Sequence, residues 1–98
     1  MINKVSKESV KQIKSGRRAV IFSASWCDSC HQLLGKIEKL QNTLPNIDNV
    51  DVDECEDFAE EYEIKSLPVV MILENGKVLE RLENNSSFQS IIDAIGEF

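Results

Sequence analysis

A chain of 98 residues is long enough for one domain with a single modest core and too short for two, so residues 1–98 are read as one unit. With 42% hydrophobic and 29% charged residues it has the balance of a soluble globule, not of a disordered tail. The net charge of -6 argues against nucleic acid as the main partner, and no apolar run is long enough to cross a bilayer.

The opening Met-Ile-Asn-Lys-Val-Ser-Lys lacks the apolar stretch of an export signal, which leads to the expectation of a cytoplasmic protein. Ile2–Val5 predicts a short strand. Ser6 then precedes a helical stretch with Val10 and Ile13 inward and Lys7, Lys11 and Lys14 outward, closed by Gly16. Ala19–Ser23 is a continuous apolar run of strand length, the pattern of a strand buried on both faces. A helix from about Cys30 to Gln41 follows, with Leu33, Leu34, Ile37 and Leu40 on one stripe and Pro45 beyond its end.

Ile47–Val52 is the next strand candidate. Asp53 and Glu56 have the spacing of a capping box for a helix that turns Phe58, Ala59 and Tyr62 inward. Val69–Leu73 and Val78–Leu82 flank Asn75-Gly76, a strong hairpin signal. Ser86 and Gln89 suggest a second capping box before a helix with Phe88, Ile91, Ile92 and Ile95 inside. The predicted order is βαβαβαββα. Strands separated by helices run parallel and the closing hairpin runs antiparallel, so the fold class is α/β, a mixed sheet with helices on both faces.

Three cysteines in a reducing compartment do not make a disulfide framework; a close pair there points to catalysis or metal binding. Trp26-Cys27-Asp28-Ser29-Cys30 lies where a buried strand hands over to a helix. Two intervening residues let both thiols reach bonding distance within one turn. At a helix N-terminus Cys27 meets unpaired N–H groups and the positive end of the dipole, which favour thiolate over thiol. Cys30, one turn deeper, would be shielded and stay protonated. The outer sulfur of such a pair attacks and the inner one resolves. Cys27 to His31 also fits a haem-attachment pattern, and Cys27, Cys30, His31 and Cys55 offer zinc ligands. Adjacent Cys30 and His31 rarely share one ion and no second Cys-x-x-Cys exists, so the expectation is no metal.

Phe22–Cys30 (Phe-Ser-Ala-Ser-Trp-Cys-Asp-Ser-Cys), Val50–Cys55 (Val-Asp-Val-Asp-Glu-Cys), Ser66–Val70 (Ser-Leu-Pro-Val-Val) and Asn75–Lys77 resemble the thioredoxin family in order and spacing. The resemblance covers nearly the whole chain. It implies the thioredoxin fold and a thiol–disulfide oxidoreductase, acting mainly as a protein disulfide reductase through Cys27 and Cys30. It also implies that Pro68 is a cis-proline beside the dithiol, that the Leu67 backbone pairs with an extended substrate segment, and that Trp26 flanks the thiols as contact surface. Disulfide-containing proteins would be the substrates. Electrons would come from a flavin-dependent thioredoxin reductase, with no bound cofactor, and the protein would work as a monomer.

Several positions depart from the family pattern. The usual Gly-Pro between the cysteines is Asp28-Ser29, and a carboxylate beside Cys27 opposes thiolate formation. The family's buried acid falls at Ile21 and its lysine neighbour at Asn49; Gly35 replaces a kinking proline, and Asn84 replaces a glycine bordering the groove. His31 is read as a solvent-facing residue able to tune Cys27, and Cys55 as a packing residue. Asp48 to Glu63 holds nine acidic side chains and no basic one, whereas Lys4 to Arg18 holds six basic ones; they are expected to form two solvated faces of opposite field. Two rivals remain beside the general reductase: a redox protein or thiol sensor with one dedicated partner, and a binding module whose thiols are dispensable.

Overall fold

In the computed structural model, which describes residues 2–40, 44–83 and 86–97, the apolar run at Ala19–Ser23 lies at the centre of a five-stranded mixed sheet. The strands are β1 (Ile2–Val5), β2 (Arg17–Ser23), β3 (Ile47–Asp51), β4 (Val69–Glu74) and β5 (Lys77–Leu82), ordered β1-β3-β2-β4-β5. β3 runs parallel to both β1 and β2, while β4 is antiparallel to β2 and to β5.

Side chains of β2 alternate across the sheet. Val20 and Phe22 face one core with Val10, Ile13, Phe58 and Tyr62. Ala19 and Ile21 face the other, with Leu33 and Ile37 of α1 (Asp28–Glu38) and Ile91 and Ile95 of α3 (Phe88–Glu97). Two covered faces are why β2 reads as an unbroken apolar run. The element order follows the sequence-based expectation, with helical layers on both sides of the sheet.

Four local expectations need correction. The first helix is a short 3-10 turn over Val10–Lys14, not an α-helix. Ser6 and Ser9 exchange side-chain hydrogen bonds ahead of it, Ser9 Oγ accepting from the Ser6 N–H at 2.9 Å and Ser6 Oγ from the Ser9 N–H at 3.1 Å. Those hydroxyls hold the backbone in a turn, and a Val10/Ile13 pair suits three residues per turn. Next, α1 opens at Asp28, two residues before the expected start, with Cys27 as its N-cap. It runs through Gly35 without a break; Gln41, its expected end, lies outside the described residues, as does Asn84.

The third correction concerns α2 (Glu56–Glu61), whose N-cap is Cys55, not Asp53. Asp51 performs the local capping, its Oδ1 accepting from the Asp53 N–H at 2.8 Å and the Glu54 N–H at 3.3 Å. At α3 the capping residue is Ser87, whose Oγ accepts from the Ser90 N–H at 3.1 Å, while Gln89 bonds Asp93 one turn on. The hairpin tip behaves as expected. Asn75 and Gly76 both take positive φ (51° and 84°), as a type I′ turn requires. Asn75 is stitched to Gly16 twice, each N–H donating to the other residue's oxygen at 2.9 Å.

Candidate functional site

At the C-terminal end of β2 the chain leaves the sheet through Ala24 and Ser25 and turns at Cys27, whose N–H donates to the Ala24 carbonyl at 3.1 Å. As N-cap of α1, Cys27 presents its sulfur to the first-turn backbone, and the Cys30 N–H donates to Cys27 Sγ at 3.3 Å. The Ser29 hydroxyl lies 3.4 Å from the same sulfur. Cys27 and Cys30 are joined as a disulfide with Cα atoms 5.3 Å apart. Cys30 is fully buried and Cys27 retains 7% exposure, so of the pair only the outer residue meets solvent. When the bond is reduced, one backbone N–H, one hydroxyl and the helix dipole converge on a sulfur able to carry negative charge.

The remaining predicted site residues assemble around this pair, with one exception. The Leu67–Pro68 peptide is cis, as the resemblance implied. Leu67 packs, with Val52, against the cluster of Ala24, Cys27 and Cys30. Pro68 and Ser29 line one cavity with Leu33 and Phe88. Trp26 is 67% exposed, the most exposed large apolar side chain among the described residues. Asp28 sits in the first turn of α1, where its carboxylate complements the helix dipole, with its side chain in solvent. His31 is the exception: it joins the turn through its backbone N–H, which donates to the Cys27 carbonyl at 3.2 Å, while its side chain points to solvent.

Two structural features escaped the sequence. The Trp26 indole N–H donates to Asp53 Oδ2 at 2.8 Å, which is what occupies the residue expected to cap α2. Arg81 on β5 reaches under the loop leading to Pro68, donating to the Tyr62 carbonyl at 2.6 Å, the Glu63 carbonyl at 2.9 Å and Glu83 Oε2 at 3.0 Å. Glu63 holds a positive φ of 54°, a conformation unfavourable for a residue with a Cβ, and the guanidinium fixes its carbonyl there.

The position of the family's buried acid is apolar in fact as in sequence. Ile21 is fully buried and pairs in register with Asn49 and Val70, while Asn49 Oδ1 accepts from the Ser23 hydroxyl at 2.6 Å. Cys55 is buried and free. Burial pushes its thiol up, with the Glu54 and Asp51 carboxylates adding to the effect. Among the described residues no group of three or more His, Cys, Asp or Glu side chains could hold a metal ion.

The two charged stretches do not form separate faces. Lys4 pairs with Glu54 at 3.8 Å, Arg18 with Asp48 at 3.2 Å, and Lys14 with Glu61. β1 lies beside β3 in the sheet, and the 3-10 turn shares one core with α2, so the basic stretch abuts the acidic one and three ion pairs join them.

Comparison with known proteins agrees with this geometry. A thioredoxin of Chlamydia trachomatis serovar D is 32% identical, the match covering 99% of this chain and 98% of that protein. A thioredoxin H-type of Fagopyrum esculentum is 38% identical over 69% of this chain, and that match spans 61% of the plant protein's length. A mutant thioredoxin from Halobacterium salinarum NRC-1 superposes with a TM-score of 0.81 at 20% identity, over 99% of this chain and 89% of the other, a likeness of fold. The thioredoxin family model matches residues 2–97, and with a Cys-x-x-Cys pair at disulfide distance beside a cis-proline, the chain belongs to the thioredoxin family.

Proposed function

We propose that this protein is a thiol–disulfide oxidoreductase that reduces disulfides in other proteins, with Cys27 as nucleophile and Cys30 as resolving thiol. One observation carries the reading: Cys27 caps α1 with the Cys30 N–H aimed at its sulfur, next to a fully buried partner thiol. The Cys27 thiolate attacks one sulfur of the substrate disulfide, and the other substrate sulfur leaves as a thiolate and takes up a proton. Cys30 then loses its proton and attacks Cys27 Sγ, releasing the second substrate thiol. Two electrons and two protons pass to the substrate, and the protein is left with the Cys27–Cys30 disulfide. Trp26, Leu67 and Pro68 form the docking surface; Ser29 tunes the reactive sulfur by direct contact, while Asp28 and His31 act on it only from their solvent-facing places in the first turn.

Thioredoxins act without a prosthetic group, so returning the protein to its dithiol form falls to a partner, here a flavoprotein of the thioredoxin reductase kind. A reducing, cytoplasmic setting fits the free Cys55 thiol, and a monomer suffices for the chemistry. A partner-specific redox protein is the second reading, favoured by the apolar Ile21 where the family carries an acid that receives the inner thiol's proton.

The test is trapping and turnover. Cys30→Ser is expected to accumulate a mixed disulfide with protein substrates, Cys27→Ser to form none, and the double serine variant to lose insulin reduction. A double variant that keeps full biological activity overturns the redox reading in favour of a binding module. Insulin reduction far slower than with an ordinary thioredoxin selects the partner-specific reading.

A further inference from the structure

Beside the dithiol lies a cavity of about 340 Å³ between α1 and α3, lined by Ser29, Leu33, Lys36, Pro68, Phe88 and Ile91 among others. Ser29, Leu33 and Lys36 follow one another at helical spacing along one face of α1, and Phe88 and Ile91 do the same on α3. The groove opens at the reactive pair, because the Ser29 hydroxyl sits 3.4 Å from Cys27 Sγ and Pro68 forms the same rim. Leu33, Pro68, Phe88 and Ile91 give it apolar walls, and Ser29, Gln32 and Ser86 add polar ones. Among the described residues that line it the one charge is Lys36, whose ammonium stands 5.3 Å from the centre of the Phe88 ring.

In a protein of net charge -6, among the described residues no acidic side chain lines this groove and Lys36 forms no ion pair. A cation held over an aromatic ring beside Leu33 and Ile91 is complementary to an apolar side chain followed by a carboxylate. From Ser29 to Lys36 is seven residues of helix, or about 10 Å. An extended chain covers that length in about three residues.

We propose that this groove reads the flank of the substrate's reactive cysteine, selecting an apolar residue and then an acidic one about three positions from the cysteine. The occupant is an extended segment of the disulfide-bearing partner, and the inference rests on the reductase reading above. The chemistry is unchanged: the partner disulfide becomes two thiols and the Cys27–Cys30 dithiol becomes a disulfide.

The experiment mixes pre-reduced protein with homodimeric disulfides of short peptides. Each peptide carries one cysteine, a neighbouring leucine, and Glu, Gln or Lys at increasing distances on either side. Hydroxyethyl disulfide, which is small and uncharged, is the control. With the unaltered protein the Glu peptide is expected to react about two- to fivefold faster than the Lys peptide, the range an exposed ion pair supports. That preference holds at one distance and on one side only. Lys36→Glu, on the exposed face of α1, is expected to invert the order while reducing hydroxyethyl disulfide at the unaltered rate. Identical peptide ranking in the two proteins overturns the proposal, as does equal charge selection at every distance, which reports the overall field and not the groove. Failure to reduce hydroxyethyl disulfide at all instead removes the underlying reductase reading.

Discussion

Arg81 offers the sharpest test of how the Pro68 loop is held. Replacing it with alanine removes three interactions at once: to the Tyr62 carbonyl, the Glu63 carbonyl and the Glu83 carboxylate. The bond to Tyr62 is partly buried and donated by a cation, which makes it worth about 1.5 kcal/mol. The bonds to Glu63 and Glu83 are exposed and revert to water, so together they contribute only about 0.5 to 1 kcal/mol. The sum, about 2 kcal/mol, lowers the melting temperature of a domain this size by about 10 °C. Arg81→Lys keeps the charge without the planar fork, serves one carbonyl, and recovers about half of the loss. Thermal melts of the oxidised proteins measure this directly. Because the strap supports the segment that carries Leu67 and Pro68, reduction of insulin is expected to slow more than reduction of hydroxyethyl disulfide. A fall in melting temperature below about 3 °C, or a lysine variant equal to the original, refutes the reasoning.

Two further predictions concern buried groups. Ile21→Asp introduces an acid into the apolar layer shared with Leu33 and Ile37, so it is expected to cost about 3 kcal/mol in stability. The same change is expected to speed the second, resolving phase of single-turnover reduction; an unchanged rate shows that the missing acid is immaterial. Alkali is expected to weaken the fold, because Cys55, Tyr62 and Lys14 all hold their protons more tightly than usual in the native protein. The unfolded chain then binds fewer protons than the native one, so stability falls as pH rises. For Cys55 the loss begins above the ordinary thiol value of about 8.5. Lys14's contribution, whose largest source is its hydrogen bond to Glu61, is fully present below the ordinary lysine value and goes as pH climbs through the raised one. Urea midpoints of the oxidised protein should decline from about pH 8.5, and Cys55→Ala should flatten the first part of that decline. A midpoint constant to about pH 10 contradicts this account.

Most of the fold was legible because burial leaves a periodic trace. β2 announced itself by apolar residues on both faces, and the closing hairpin by Asn75-Gly76, whose positive φ values few other pairs adopt without strain. The dithiol was legible from Cys27 and Cys30 at a strand-to-helix junction. What escaped was competition between near-equivalent partners. Asp51 and Asp53 are both able to cap a helix start, and the choice between them depends on Trp26, which is distant in sequence. The Arg81 strap has no spacing signature, since it joins residues 18 and 19 positions apart across a loop. The separate acidic and basic faces failed for the same reason: their charges meet only once β1 is laid against β3.

The Trp26–Asp53 hydrogen bond bears on how such a protein could serve many clients. A large aromatic surface that is 67% open to solvent would ordinarily swing between rotamers and lose that freedom on each encounter. Here the indole is already moored, so its ordering belongs to folding and not to recognition. On the docking role proposed for Trp26, complexes that form and dissolve with every catalytic cycle would start from a ready-made platform.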